Sequence, residues 1–187
     1  MHFAIEETIN SGIKPFVNLI CFFPEITLEE LYLTIDSALD YIERGVEVAT
    51  EPFVMPLPGS ALFYDQSYEK HTSVVTIPGT KKTVDRVHFL VPQDPQMKDL
   101  TYRFFHEQDN HMNSVARKYG FDHLPTRLRS IVTFDTILTL LQDEGRLGRV
   151  DMLYREMSRE IRGAAASPTK DAIGKANDGA VLRTLSA

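Results

Sequence analysis

The sequence predicts an α/β fold, in which a parallel βαβ unit near the N-terminus is followed by an α-rich C-terminal region. Residues 14–23 are apolar without alternation, which is typical of a strand buried on both faces of a parallel sheet. Residues 46–55 form a second β-prone run. Between them, apolar side chains recur at helical spacing, at Leu28, Leu31, Ile35, Leu39 and Ile42. This order predicts a right-handed strand–helix–strand crossover.

Local signals place the ends of these elements. Ile5 and Ile9 lie one helical turn apart and Gly12 suits a left-handed helix terminus, so a helix is expected over residues 3–11. Thr27 and Glu30 have the spacing of a capping box, which predicts the start of the helix between the two strands.

The composition changes after residue 60. Residues 61–95 contain several proline and glycine signals and predict an irregular segment with one β-hairpin, built from the β-prone runs 73–77 and 87–91. Apolar stripes then predict helices over residues 97–118, 126–143 and 149–161. The expected organisation is a βαβ part over residues 1–65, a mostly helical extension over 66–162, and a disordered tail over 163–187.

Composition limits the functional classes. The chain has 187 residues and a net charge of −6, which argues against a nucleic-acid partner because phosphate binding needs clustered Lys and Arg. No apolar run is long enough for a membrane helix and no signal peptide is evident, so a cytoplasmic protein with no membrane partner is expected. Cys21 is the single cysteine, which excludes an internal disulfide and indicates a core residue.

Two stretches carry a family signal. The first is NLICFFPE, from Asn18 to Glu25, followed by ITLEE; the second is PLPGSALF, over residues 56–63. In order and spacing they resemble the fifth and sixth strands of the partial TIM-type barrel of radical S-adenosylmethionine (radical SAM) enzymes. In that family the fifth strand ends in a proline-containing turn before a T-x-E-E helix start, and the sixth ends in a P-x-P-G-[ST]-x-L-[FY] turn. The resemblance implies the C-terminal βαβ portion of such a barrel, followed by an α-rich extension.

The resemblance also implies cofactor-binding residues. The family pattern G-x-I-x-G-x-x-E places an adenine-packing isoleucine at Ile20 and a loop-ordering glutamate at Glu25, whereas its two glycines are replaced by Asn18 and Phe22. The implied residues beside S-adenosylmethionine are therefore Asn18, Ile20, Glu25 and the turn residues Pro58, Gly59 and Ser60.

One departure from the family limits the expected activity. The CxxxCxxC motif that ligates the family's iron–sulfur cluster is absent, so this chain cannot hold the cluster and is not expected to cleave S-adenosylmethionine alone. We therefore expect a C-terminal fragment, with the N-terminal half missing through truncation or located on another chain. Cobalamin is a further cofactor of the parent enzyme if that enzyme belongs to the group with a cobalamin-binding domain. Whether the substrate is a small molecule or a macromolecule, and which residues are catalytic, stays open.

Two other interpretations remain. A noncatalytic partner or regulatory module that completes another chain's barrel predicts an exposed apolar edge near residues 14–23. A small stand-alone α/β binding protein would instead need additional strands from residues 61–95 to cover that edge.

Other polar residues give weaker signals. His106 and His111 are spaced i, i+5, not the i, i+4 of a helical zinc motif, so a Glu107–His111 pair on a polar helix face is favoured and no metal site is predicted. A solvated or salt-bridged Glu51 is favoured over one that faces a substrate. Three further histidines fall in separate segments that the sequence cannot bring together, His71, His88 and His123.

Overall fold

The computed structural model describes residues 2–119 and 126–166. The helices are α1 (His2–Asn10), α2 (Leu28–Glu43), α3 (Ala61–Tyr64), α4 (Pro95–Tyr119), α5 (Thr126–Leu141) and α6 (Glu144–Ala166). The strands are β1 (Phe16–Phe22), β2 (Glu47–Phe53), β3 (Lys70–Thr76) and β4 (Thr83–Leu90). The protein is thus a mixed α/β structure with two small sheets, and the described strands do not close a barrel.

The βαβ unit has the predicted order. β1 and β2 pair in parallel, and α2 connects them. The capping box at the start of α2 is present: Glu30 N donates to Thr27 Oγ1 at 3.3 Å, and Thr27 N donates to Glu30 Oε2 at 2.9 Å. Two of the four N–H groups that lack a partner at a helix start are therefore satisfied.

Only one face of this sheet is covered, which corrects the prediction that β1 is buried on both faces. Val17 and Val48 are partners on the covered face and are 8% and 2% exposed. On the opposite face Phe16 is 60% and Ile20 is 43% exposed. A non-alternating apolar run indicates that both faces of a strand tend to be buried. Within the described residues, however, nothing covers the second face of this sheet over most of its length.

The predicted hairpin is present, but it does not extend the first sheet. β3 and β4 form a separate antiparallel sheet, with a register irregularity between His71 and Thr72. Leu90 N at the end of β4 donates to Val54 O just after β2, at 3.0 Å. The hairpin is therefore attached at the carboxyl end of β2, not along the edge of β1.

The three long helices of the C-terminal region are confirmed, with different bounds for α6. It begins at Glu144, where Asp143 Oδ1 accepts from Arg146 N at 3.0 Å, and it extends to Ala166. The predicted tail from residue 163 is thus helical up to Ala166, and its remainder lies outside the described residues. α3, which follows Ser60, was not predicted.

One hydrophobic core joins the N-terminal unit to the C-terminal helices. It includes Ile35 of α2, Leu100 of α4, Ile137 of α5 and Leu153 of α6. α5 also binds β2 directly, since Ser130 Oγ donates to Val48 O at 2.8 Å. Among the described helices, none combines the length and the apolar character needed to cross a bilayer.

Candidate functional site

The residues implied by the radical SAM resemblance lie on the uncovered face of the β1–β2 sheet and in the turns beyond it. The parallel register pairs Asn18 with Ala49 and Ile20 with Glu51. Alternation along each strand puts all four on the face opposite Val17 and Val48. We call these four residues, together with Phe16, the open sheet face. Ligands of parallel α/β proteins bind at the carboxyl ends of strands, which is where Ile20 and Glu51 lie.

The open sheet face combines apolar and polar groups. Asn18 and Glu51 are exposed, as are the larger apolar side chains of Phe16 and Ile20. Glu51 is exposed and lies beside Ile20. A planar aromatic group such as a nucleobase has apolar surface to pack on here, with an amide and a carboxylate next to it.

Glu25 is held by the segment before β3. Tyr68 Oη donates to Glu25 Oε1 at 2.9 Å, and this hydrogen bond raises the pKa of Tyr68 above its ordinary value. The neighbouring carbonyl of Pro24 accepts from Gln93 N at 2.8 Å. The turn after β1 is thus fixed by residues from both sides of the hairpin.

The turn over residues 56–60 has the conformation that its glycine allows. Gly59 has φ +93°, a value that side-chain-bearing residues rarely adopt. A Cβ built on Gly59 would have no atom within 4 Å, so the glycine serves the turn itself and not a close contact within the chain. Ser60 caps α3, since its Oγ accepts from Phe63 N at 3.2 Å and donates to Leu57 O at 2.8 Å. Pro58 is exposed beside them.

A cluster of aromatic rings covers the carboxyl end of the open sheet face. The ring centroids of Phe53 and Phe89 are 4.6 Å apart, and those of Phe22 and Phe104 are 5.3 Å apart. Phe22 and Phe53 are register partners, so the face is covered only at its last pair. Sequence reasoning missed this cluster because Phe89 and Phe104 come from elements whose docking no local pattern predicts.

Two histidines that the sequence could not bring together meet in the hairpin. The rings of His71 and His88 are 5.5 Å apart, and Ser73 Oγ lies 2.8 Å from His88 Nε2. Burial lowers the pKa of His71, and the nearby His88 and His106 lower it further. The third, His123, lies outside the described residues.

His111 does not pair with Glu107, contrary to the prediction. Its Nε2 lies 2.8 Å from Asp135 Oδ2 of α5. The prediction used only the i, i+4 spacing along α4. In the structure, helix packing brings a carboxylate of α5 within hydrogen-bonding distance of His111. Among the described residues, no group of three or more His, Cys, Asp or Glu is arranged to hold a metal ion.

The thiol in β1 does not suit metal–sulfur chemistry. Cys21 is fully buried, and burial raises its pKa to about 12, so it stays protonated at neutral pH. Because it is also the only cysteine of the chain, an iron–sulfur cluster would need ligands from elsewhere.

Comparisons with protein families, with curated proteins and with solved structures found no match for this chain. The interpretation of the open sheet face and of the turns beyond it therefore rests on their geometry alone.

Proposed function

We propose that this chain is the C-terminal portion of a radical SAM enzyme and forms the wall that flanks S-adenosylmethionine and substrate, without being catalytic alone. The observation that carries the proposal is the open sheet face. A parallel strand pair that is packed on one face and exposes Phe16 and Ile20 on the other is an incomplete layer. In a barrel, the face opposite the helices is the interior.

The open sheet face fits part of the cofactor. Adenine would pack on Ile20, where 43% of the side chain is exposed, and the amide of Asn18 offers a hydrogen-bonding group on the same face. The turn at Pro58, Gly59 and Ser60 would present backbone polar groups to the nucleoside. Bound and reduced by a cluster held elsewhere, S-adenosylmethionine would supply a 5′-deoxyadenosyl radical. The substrate class stays open, as does a cobalamin domain in the parent enzyme.

A noncatalytic module that completes another chain's barrel is the second candidate. The exposed apolar residues Phe16 and Ile20 on β1 favour it equally. The stand-alone interpretation has less support, because it required strands from residues 61–95 beside β1, and the two described strands there pair with each other.

Binding of S-adenosylmethionine tests the role of the open sheet face. Saturation-transfer NMR on the purified chain should detect transfer to the adenine protons. Ile20→Asp should abolish this transfer, because it replaces the apolar packing surface with a charge. The matched control is Ile77→Asp, since Ile77 is 38% exposed on the hairpin and should leave the transfer unchanged. Absence of transfer with the unmodified chain, or equal effects of both variants, would contradict the proposal.

The genomic DNA around the gene separates the two candidates. A reading frame directly upstream that encodes CxxxCxxC, in frame or shifted, supports a barrel fragment. A separate enzyme with an incomplete barrel that co-purifies with this chain supports the partner module instead.

A further inference from the structure

The outer edge of β2 is protected against pairing with a further strand. Ser130 Oγ of α5 donates to Val48 O on this edge at 2.8 Å. Alternation along β2 puts Pro52 on the same edge as Val48, and proline has no N–H to donate to another strand. Farther along, Leu90 N donates to Val54 O at 3.0 Å. A packed helix, a proline and a docked segment are ordinary means of protecting a sheet edge.

The outer edge of β1 is open by comparison. Glu47 N donates to Pro15 O at 3.3 Å, and this bond fixes which main-chain groups of β1 point towards β2. Because the direction alternates from residue to residue, the N–H and C=O groups of Phe16, Asn18 and Ile20 point away from β2. Within the described residues, β2 is the only strand that pairs with β1, so these groups have no strand partner.

The lack of charge also distinguishes the β1 edge. Residues 15–24 include no charged side chain, and β1 itself contains no proline. The hairpin, whose small sheet also has free edges, carries charged residues in its strands and its turn, namely Lys70, Lys81, Lys82, Asp85 and Arg86. Such charges oppose pairing with another chain, whereas an uncharged apolar edge strand favours it. The described structure therefore leaves the β1–β2 sheet open to extension at β1.

The side chains along this edge are complementary to a second copy of themselves. Two antiparallel β1 strands with a twofold axis at Asn18 place Phe16 of one copy opposite Ile20 of the other. Phe16 and Ile20 are both apolar and exposed, and the two Asn18 amides meet at the axis. Since residues 15–24 are uncharged, the net charge of −6 brings no like charges together along the paired strands.

We propose that two copies of this chain associate through β1 into a closed dimer with one continuous four-stranded sheet, two strands from each copy. The outward main-chain groups of Phe16, Asn18 and Ile20 then exchange about six hydrogen bonds across the axis. The axis runs through the sheet, so the open sheet faces of both copies lie on the same side and stay accessible to solvent. The dimer needs only the free edge and does not depend on the proposed function.

Sedimentation velocity on the full chain tests the association. Strand pairing alone buries little surface, so we expect weak binding. Between about 5 µM and about 200 µM, the weight-average mass should rise from the 21.2 kDa of one chain towards twice that value and no further. A mass that stays at one chain over this range, or one that grows past two chains, would overturn the proposal.

Two variants test whether β1 is the interface. Phe16→Lys places a charge opposite Ile20 of the partner copy and should keep the chain monomeric over the whole concentration range. Val74→Lys makes the same kind of change on β3 and should dimerise like the unmodified chain. Phe16 and Val74 are 60% and 68% exposed, so both variants should keep the melting temperature of the dilute unmodified chain. Equal association of the two variants would refute the β1 interface.

A cysteine at the axis tests the register. Asn18→Cys brings two thiols together in a hydrogen-bonded strand pair with a Cα separation of about 5.5 Å, which a disulfide can bridge. Mild oxidation should convert most of this variant to a covalent dimer on a nonreducing gel. Met152→Cys, at a 62% exposed position on α6, should stay mostly monomeric, and the buried Cys21 should not react in either variant. Similar cross-linking of both variants would refute the proposed pairing.

Discussion

Arg146 of α6 forms a two-point ion pair with Asp36 of α2, with Nε to Oδ1 and Nη2 to Oδ2 both at 2.8 Å. The same guanidinium lies 4.5 Å from the centroid of the Tyr32 ring and donates to Asp143 Oδ2 at 2.7 Å. The hydrogen bond from Arg146 holds the pKa of Asp36 below its ordinary value. One side chain thus connects the βαβ unit to α6.

Arg146→Gln should lower the free energy of unfolding by about 1–2 kcal/mol, because both parallel hydrogen bonds to Asp36 are lost at a partly exposed site. Urea unfolding at neutral pH measures this. Arg155→Gln is the control: its i, i+4 pair with Asp151 leaves 66% of the arginine side chain exposed, so its loss should cost at most about 0.5 kcal/mol. Equal effects would show that Arg146 does not stabilise the joined parts.

Thr27→Ala should destabilise the chain by about 1 kcal/mol, since it removes the hydroxyl that caps α2. Thr34→Ala removes a hydroxyl inside the same helix, where Oγ1 donates to Glu30 O at 2.8 Å. There the higher helix propensity of alanine should leave stability unchanged or raise it by about 0.5 kcal/mol. Thermal unfolding should therefore show a lower melting temperature for Thr27→Ala but not for Thr34→Ala. A similar decrease for both variants would contradict the capping role.

Ile35→Val and Ile20→Val make the same chemical change on opposite faces of the βαβ unit. Ile35 has no exposed surface, so loss of one methylene should cost about 1 kcal/mol. Ile20 is 43% exposed, so its substitution should cost less than about 0.5 kcal/mol in the isolated chain. Denaturant midpoints measure both, and a large effect at Ile20 would mean that another surface covers it in solution.

Stability should fall below pH 6.5 because the pKa of His71 is lowered in the folded chain from its ordinary value of 6.5. The unfolded chain then binds this proton at a higher pH than the folded chain does. The free energy of unfolding therefore decreases as the pH drops through 6.5, and levels off once the folded ring is protonated too. His71→Phe keeps the stacking on Phe89. It should reduce the difference between the free energies of unfolding at about pH 7.5 and at about pH 5.5. If His71→Phe leaves the pH dependence of the free energy of unfolding unchanged, that dependence comes from other groups.

Cys21 should resist thiol reagents in the native chain, because the side chain is fully buried and burial raises its pKa to about 12. Colour development with a disulfide reagent should require denaturant and should follow the unfolding curve. Rapid stoichiometric reaction without denaturant would show that the β1 edge opens in the native state.

Local structure was predictable where neighbouring residues determine it. The capping residues Thr27 and Glu30 locate the start of α2, and Gly12, at φ +74°, follows the end of α1 as its position suggested. The hairpin was expected from the two β-prone runs over residues 73–77 and 87–91. Each of these signals acts over a few residues, so the sequence contains it in full.

The candidate sites depended on contacts across the chain. Asp135 is 24 positions from His111, and Arg146 is 110 positions from Asp36. No periodic pattern specifies which helix faces meet, so the sequence suggested Glu107 as the partner of His111. The packing of α4 on α5 placed Asp135 there instead.

The open sheet face likewise combines a feature that the sequence predicts with one that only the tertiary structure decides. By itself, the sequence determined that residues 14–23 contain an apolar strand paired in parallel through a capped helix, because a continuous apolar run, a helix cap and a crossover length are local properties. Only the tertiary structure decided that one side of this strand is covered by α2 while Phe16 and Ile20 stay exposed on the other. Burial depends on what the remaining elements cover, and here the hairpin docks at the carboxyl end of β2 and leaves that side open.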